Sequence, residues 1–218
     1  MQAKGRYFSH GNTQLPEIAL TFDDGPNDLY TAQILDILRY YRIKATFFCL
    51  GRQVQKYPAL VQRAYREGHL IANHTWGHPL LPNLAVPSII WQITTAGDMI
   101  QRTTGIRPTL FRAPYGATNS TALRVINLFG LTLIQWNVDP RDWSRPGINT
   151  IYARVMTQTQ NGSIILLHDG GGDRSQTVAA LPMIIQRLQS YGFQFVTLQQ
   201  LIHDTHAAAP TKKTQSTQ

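Results

Sequence analysis

The sequence predicts an α/β domain built on a largely parallel sheet. Short, nearly continuous apolar runs alternate with longer amphipathic stretches, and glycines stand where those stretches should stop. Polar, chemistry-bearing residues also collect just after the apolar runs, where barrels and open doubly wound sheets alike hold ligands. The series begins with a strand over 18–22 and an amphipathic helix over 31–41. A strand follows at 45–49, where the single cysteine, Cys49, reads as a small buried thiol, so no intrachain disulfide can form. A helix over 59–67 stops at Gly68 before a strand at 70–73, and a helix over 87–103 stops at Gly105 before a strand at 109–112. A helix over 120–128 stops at Gly130 before a strand at 131–136. A helix over 150–160 precedes a strand at 163–167, and a helix over 178–189 stops at Gly192 before the last strand, 194–197. Trp91 and Trp136 fall inside these elements and read as core. Seven strands separated by helices suit a barrel and an open sheet equally.

The 218 residues suit one large domain, placed at 14–204, with an N-terminal extension over 1–13. The end, AAAPTKKTQSTQ, is small, polar and proline-containing, so 205–218 reads as a disordered tail or linker. Hydrophobic residues make up 43%, enough for a sizeable core, and exclude a disordered chain. No apolar stretch approaches the ~20 residues of a membrane span. The opening MQAKGRYFSHGN has no apolar h-region, so no leader is expected within it. Lys and Arg outnumber Asp and Glu by 20 to 12, giving +8, a field that favours anionic surroundings. The cations are scattered rather than interleaved with aromatics, which argues against nucleic-acid binding.

Five strand ends deliver the polar residues: Asp23-Asp24, His74 and His78, Arg112 with Tyr115, Asp139 with Asp142-Trp143, and His168-Asp169. Two imidazoles four apart plus a carboxylate make a three-ligand metal site with open positions, as in catalytic zinc centres. A His pair alone at this spacing is a common surface feature; the carboxylates at a neighbouring strand end give it weight. The same donors could hold ferrous iron in an oxygenase. Adjacent aspartates at a strand end point in different directions, so Asp24 can take a cation while Asp23 acts as general base, with Arg112 and the cation offsetting their repulsion. Gly170-Gly171-Gly172 lacks the phosphate-loop patterns and reads as a loop beside a groove. Asn73-His74-Thr75 is a formal glycosylation sequon, but a glycan there would block the metal site. His203 and His206 carry no expected role.

The stretches TFDDGP, HTWGH, RAPYG, DPRDW and LLHDG, in that order, closely resemble the five motifs of the polysaccharide deacetylases, the NodB-homology carbohydrate esterases. The resemblance spans about residues 17–202 and implies a distorted (β/α)7 barrel, in agreement with the strand count. It implies Asp23 as catalytic base, Asp24, His74 and His78 as metal ligands, and Arg112 as the arginine that orients the base. It implies the Tyr115 backbone N–H as oxyanion donor, Asp142 as the acid tuning His168, and His168 as general acid. Trp143 would wall the sugar groove, and Leu166 would pocket the acetyl methyl. Every one of these positions keeps the family's residue type.

The resulting expectation is a metal-dependent hydrolase that removes N-acetyl groups from N-acetylglucosamine units of peptidoglycan or a chitin-type polymer. It uses one divalent ion, zinc first, with cobalt, manganese and nickel admitted by the same ligands. The partner is the polysaccharide, within an anionic cell-wall polymer, and the chain is expected to act as a monomer, outside the cell or at its wall. Alternatives are an O-deacetylase of acetylated xylan, a catalytically silent carbohydrate-binding domain and the iron oxygenase.

Overall fold

The computed structural model describes residues 7–207. Its strands are β1 (Tyr7–Phe8), β2 (Glu17–Asp23), β3 (Thr46–Cys49), β4 (Leu70–Asn73), β5 (Leu110–Phe111), β6 (Thr132–Ile134), β7 (Ile164–His168) and β8 (Gln194–Phe195). The helices are α1 (Tyr30–Tyr40), α2 (Gly51–Lys56), α3 (Pro58–Arg66), α4 (Val86–Thr104), α5 (Ser120–Leu128), α6 (Ile148–Gln158), α7 (Ser175–Ser190) and α8 (Leu198–Ala207). All pairings are parallel, in the order β1-β6-β5-β4-β3-β2-β7, with β8 beside β2. A parallel bridge between Val138 and Ile165 joins the end of the β6 segment to β7. That bridge closes the sheet into a distorted barrel of the (β/α)7 kind.

Strand alternation sorts side chains to the two faces. Ile18, Leu20 and Phe22 of β2 pack outward with Phe47, Ile71, Ile165 and Leu167 against the helices. Phe22 and Phe47 stack with ring centroids 5.2 Å apart. Ala19, Phe48, Ala72, Leu110, Ile134 and Ile164 form the other set, joined by Phe8 of β1 and by Leu198 and Leu201 of α8. Each fully buried aliphatic or aromatic side chain contributes roughly 1.5–3 kcal/mol. The same alternation carries Thr21 and Asp23 to the Ala19 face of β2, with Asp23 at the strand's carboxyl end. Register places Asp23 beside His168 of β7.

The elements differ from sequence expectation chiefly at the edges. The first thirteen residues contain β1, too short and polar-flanked to show periodicity. Helix α2 is six residues beginning at a glycine, below the length at which a 3.6-residue period is visible. Helix α8 carries the polar run Gln199-Gln200 and extends through Ala207, into the stretch read as tail; residues 208–218 lie outside the described region. Trp91, read as core, is 50% exposed on α4. Cys49 is buried and free, as expected. No helix among the described residues is long and apolar enough to cross a membrane.

Candidate active site

The carboxyl ends of the strands surround a cavity of about 700 Å³, lined by Asp23, Asp24, His74, His78, Tyr115, Trp143, Leu166 and His168 among others. Strand β2 ends at Asp23, and the chain then turns through Asp24 in a left-handed conformation (φ 73°), swinging the second carboxylate away from the first. The loop after β4 contains two further left-handed residues, Thr75 (φ 72°) and His78 (φ 64°), so His74 and His78 converge through a tight loop rather than along a helix. Asn73 fixes that loop: its Oδ1 accepts the Thr75 N–H at 2.8 Å while its Nδ2 donates to the Ile93 carbonyl, also at 2.8 Å. Its sequon is therefore buried. Such backbone strain is stored where surrounding contacts hold it, and here it holds imidazoles in place.

Asp24 Oδ1 lies 3.5 Å from His74 Nε2 and 3.2 Å from His78 Nε2. One donor atom from each of the three residues falls within 4.8 Å of the others. His74 Nδ1 sits 2.8 Å from the Arg112 carbonyl, so it carries the proton and leaves Nε2 as a lone-pair donor toward the cluster. Asp24 Oδ1 is buried without a hydrogen bond. Burial alone would raise the Asp24 carboxyl, yet the adjoining His74 and the charges of His78 and His168 take it well below the ordinary carboxylate range. Burial would likewise lower His74, but Asp23 and Asp24 raise it. Two carboxylates around buried imidazoles thus demand positive charge between them, and the orphaned oxygen and oriented Nε2 atoms suit a divalent cation.

Asp23 faces elsewhere. Its Oδ1 accepts from Arg112 Nη1 at 2.7 Å, and the same Nη1 donates to Thr21 Oγ1 at 2.8 Å. Arg112 is fully buried, its guanidinium 4.1 Å from the Phe48 ring centroid. Asp23 Oδ2 remains open to the cavity side, 3.8 Å from His74 Nε2. On the β7 side, His168 Nδ1 is 2.7 Å from Asp142 Oδ1, while Asp142 Oδ2 accepts the His168 backbone N–H and the Thr177 hydroxyl. Burial opposes protonation of His168, but Asp142 beside it, with Asp23 and Asp24, raises its pKa to about 9. Tyr115, again left-handed (φ 60°), is 68% exposed and meets His78 edge-on at 4.5 Å.

Comparison with known proteins agrees with this geometry. Residues 10–134 match the sequence profile described as polysaccharide deacetylase. The chain belongs to the polysaccharide deacetylase family. It is 41% identical over 191 residues to a peptidoglycan-N-acetylglucosamine deacetylase of Bacillus cereus, covering 87% of this chain and 89% of that protein. It is 40% identical over 190 residues to a chitooligosaccharide deacetylase of Azorhizobium caulinodans, covering 81% and 90%. A solved structure of the Bc1960 peptidoglycan N-acetylglucosamine deacetylase superposes with a TM-score of 0.88 at 37% identity, covering 90% of this chain and 92% of that one.

For this polysaccharide deacetylase, the residues singled out from the sequence all border one cavity or support its walls. Others were missed. Trp136 is half-buried, packing against the core as expected while also lining the cavity, and Thr21 and Thr177 anchor Arg112 and Asp142. Asp169, adjacent to His168, is fully buried behind the Asp24 turn. It accepts from the Thr31 hydroxyl at 2.6 Å, and burial, reinforced by Asp24 and Asp23, pushes it up to about 7. A Cβ on Gly25 would overlap its carboxylate, and one on Gly170 would overlap the Asp24 backbone. The glycines therefore let the β2 and β7 loops touch, and Gly170-Gly171-Gly172 packs against Asp24 instead of cradling phosphate.

Proposed function

We propose that this chain hydrolyses the N-acetyl amide of N-acetylglucosamine units in a polysaccharide, releasing acetate and leaving a free amine. The observation that supports this most is that Asp23 and Asp24, adjacent in sequence, face different partners: Asp24 the two imidazoles, Asp23 the buried guanidinium. Asp24, His74 and His78 would hold one divalent ion, with zinc favoured by two imidazoles and a carboxylate and cobalt, manganese and nickel also admitted. When bound, that ion supplies Lewis acidity to the acetyl carbonyl and acidifies water.

The remaining work falls to the chain's own residues. Asp23 Oδ2, left free by the Arg112 bond to Oδ1, removes a proton from the attacking water. The water oxygen bonds to the carbonyl carbon, and the Tyr115 backbone N–H donates to the oxygen that gains charge. His168 gives its Nε2 proton to the departing nitrogen as the C–N bond breaks, and Asp142 steadies the imidazolium. Leu166 shapes the methyl pocket and Trp143, 53% exposed, offers a flat wall for a sugar ring. The names of the relatives support a peptidoglycan or chitin-type substrate, and the +8 charge suits an anionic wall outside the cell.

The test is acetate release from chitooligosaccharides, peptidoglycan and acetylxylan, before and after chelation and with metals restored singly. The expected result is release from the N-acetylated polymers that chelator abolishes and zinc restores. Preference for acetylxylan would favour the O-deacetylase, and no release with any metal a silent binding domain.

His168 must be protonated to act, so kcat/KM should fall as pH rises through about 9. Asp142→Asn removes the charge that raises His168 while burial persists, so the falling limb should move to lower pH. The linkage to stability has the same sign: a raised folded-state pKa stabilises fully below about 6.5 and is lost as pH passes about 9. A pH–rate profile of both proteins checks this; a limb unmoved by Asp142→Asn contradicts it.

A further inference from the structure

One cation on the cavity wall has no task in the acetyl chemistry. Arg52 stands in α2 just after β3; its side chain is exposed, lines the cavity, and makes no hydrogen bond or ion pair with the described residues. Its backbone, by contrast, is fixed: the Arg52 N–H donates to the Trp76 carbonyl at 3.2 Å and the Gly51 N–H to the Thr75 carbonyl at 2.9 Å. The guanidinium is therefore carried on the rim beside the imidazole loop with its five donors free. The imidazoles lining the cavity are committed, His74 and His78 to Asp24 and His168 to Asp142, and Arg112 is buried behind the wall on Asp23. Across the barrel, Asp139 follows β6, three strands from β3 in the sheet order, and also lines the cavity. One wall thus offers an unpaired positive charge and the opposite wall a negative one.

Such polarity has no use for a uniformly neutral oligosaccharide. A planar guanidinium with free donors matches a carboxylate bidentately. We propose that Arg52 reads a carboxylate on the sugar next to the reacting N-acetylglucosamine, so that the cavity selects a glycan whose alternate sugar carries a free lactyl-ether acid, as in peptidoglycan strands stripped of their stem peptides. Asp139 repels that acid from the opposite wall, which fixes the direction in which the polymer lies. This rests on the N-acetylglucosamine deacetylase reading and names its substrate class.

The test measures affinity in the zinc-loaded Asp23→Asn background, so that turnover does not intervene. An alternating tetrasaccharide with lactyl acids is compared with chitotetraose, in Arg52, Arg52→Gln and Arg52→Lys proteins. Arg52→Gln should weaken the acidic oligomer about tenfold, equivalent to about 1.4 kcal/mol, and leave chitotetraose within about twofold. Lys, a point charge without the planar fork, should recover part of the loss, and salt should shrink the discrimination. Equal weakening of both oligomers, or of neither, overturns the proposal. Absence of acetate release by the unmutated enzyme would sink the deacetylase reading, while the affinity comparison would still decide the role of Arg52.

Discussion

Replacing Asp23 with Asn is expected to slow acetate release by about 10²–10⁴-fold, the usual contribution of a positioned acid or base. Asn keeps a carbonyl oxygen for the Arg112 Nη1 donor, which holds Asp23 Oδ1 at 2.7 Å, so the local packing survives. What it lacks is an oxygen able to take a proton. Metal content should stay at the wild-type level, because Asp23 stands outside the Asp24-His74-His78 cluster. Acetate assays with metal analysis check both halves, and a variant that keeps full rate contradicts the assignment of the base.

Arg112→Met should produce the largest loss of stability. The guanidinium is 0% exposed, bonded to Asp23 and Thr21, and set against Phe48 and Trp136. Removing it leaves the Asp23 carboxylate buried and uncompensated, a change that costs about 3–5 kcal/mol. A urea titration would read this as a lower midpoint at unchanged slope. The Asp23→Leu, Arg112→Met double variant removes both charges and should regain much of the stability while remaining inactive. Recovery in the double variant separates the structural cost of an unpaired charge from loss of the base. A single variant as stable as the wild type would mean that the pair is not held as the geometry has it.

Much of this site was legible because strand ends are legible. Each motif follows an apolar run, and five such ends in one parallel sheet must open on the same rim. What was not legible depended on tertiary register or backbone sign. Thr21 is an ordinary strand residue until alternation places it beneath Asp23 beside Arg112. Thr177 lies on α7, with no local signal that its hydroxyl reaches Asp142. Trp91 sits within a helical period, yet that period does not say which flank of α4 faces solvent. The left-handed turns at Asp24, Thr75, His78 and Tyr115 fall on side chains other than glycine, so no glycine marks them in the sequence. They also explain why His74 and His78 converge without a helix between them.

The division of labour between two neighbouring carboxylates is the core of this account. Equilibrium dialysis against zinc, run side by side on Asp23→Asn and Asp24→Asn, tests it most directly. One equivalent bound by the first and a large loss of binding in the second is the predicted result. Equal retention in both, or loss in the first alone, would contradict it.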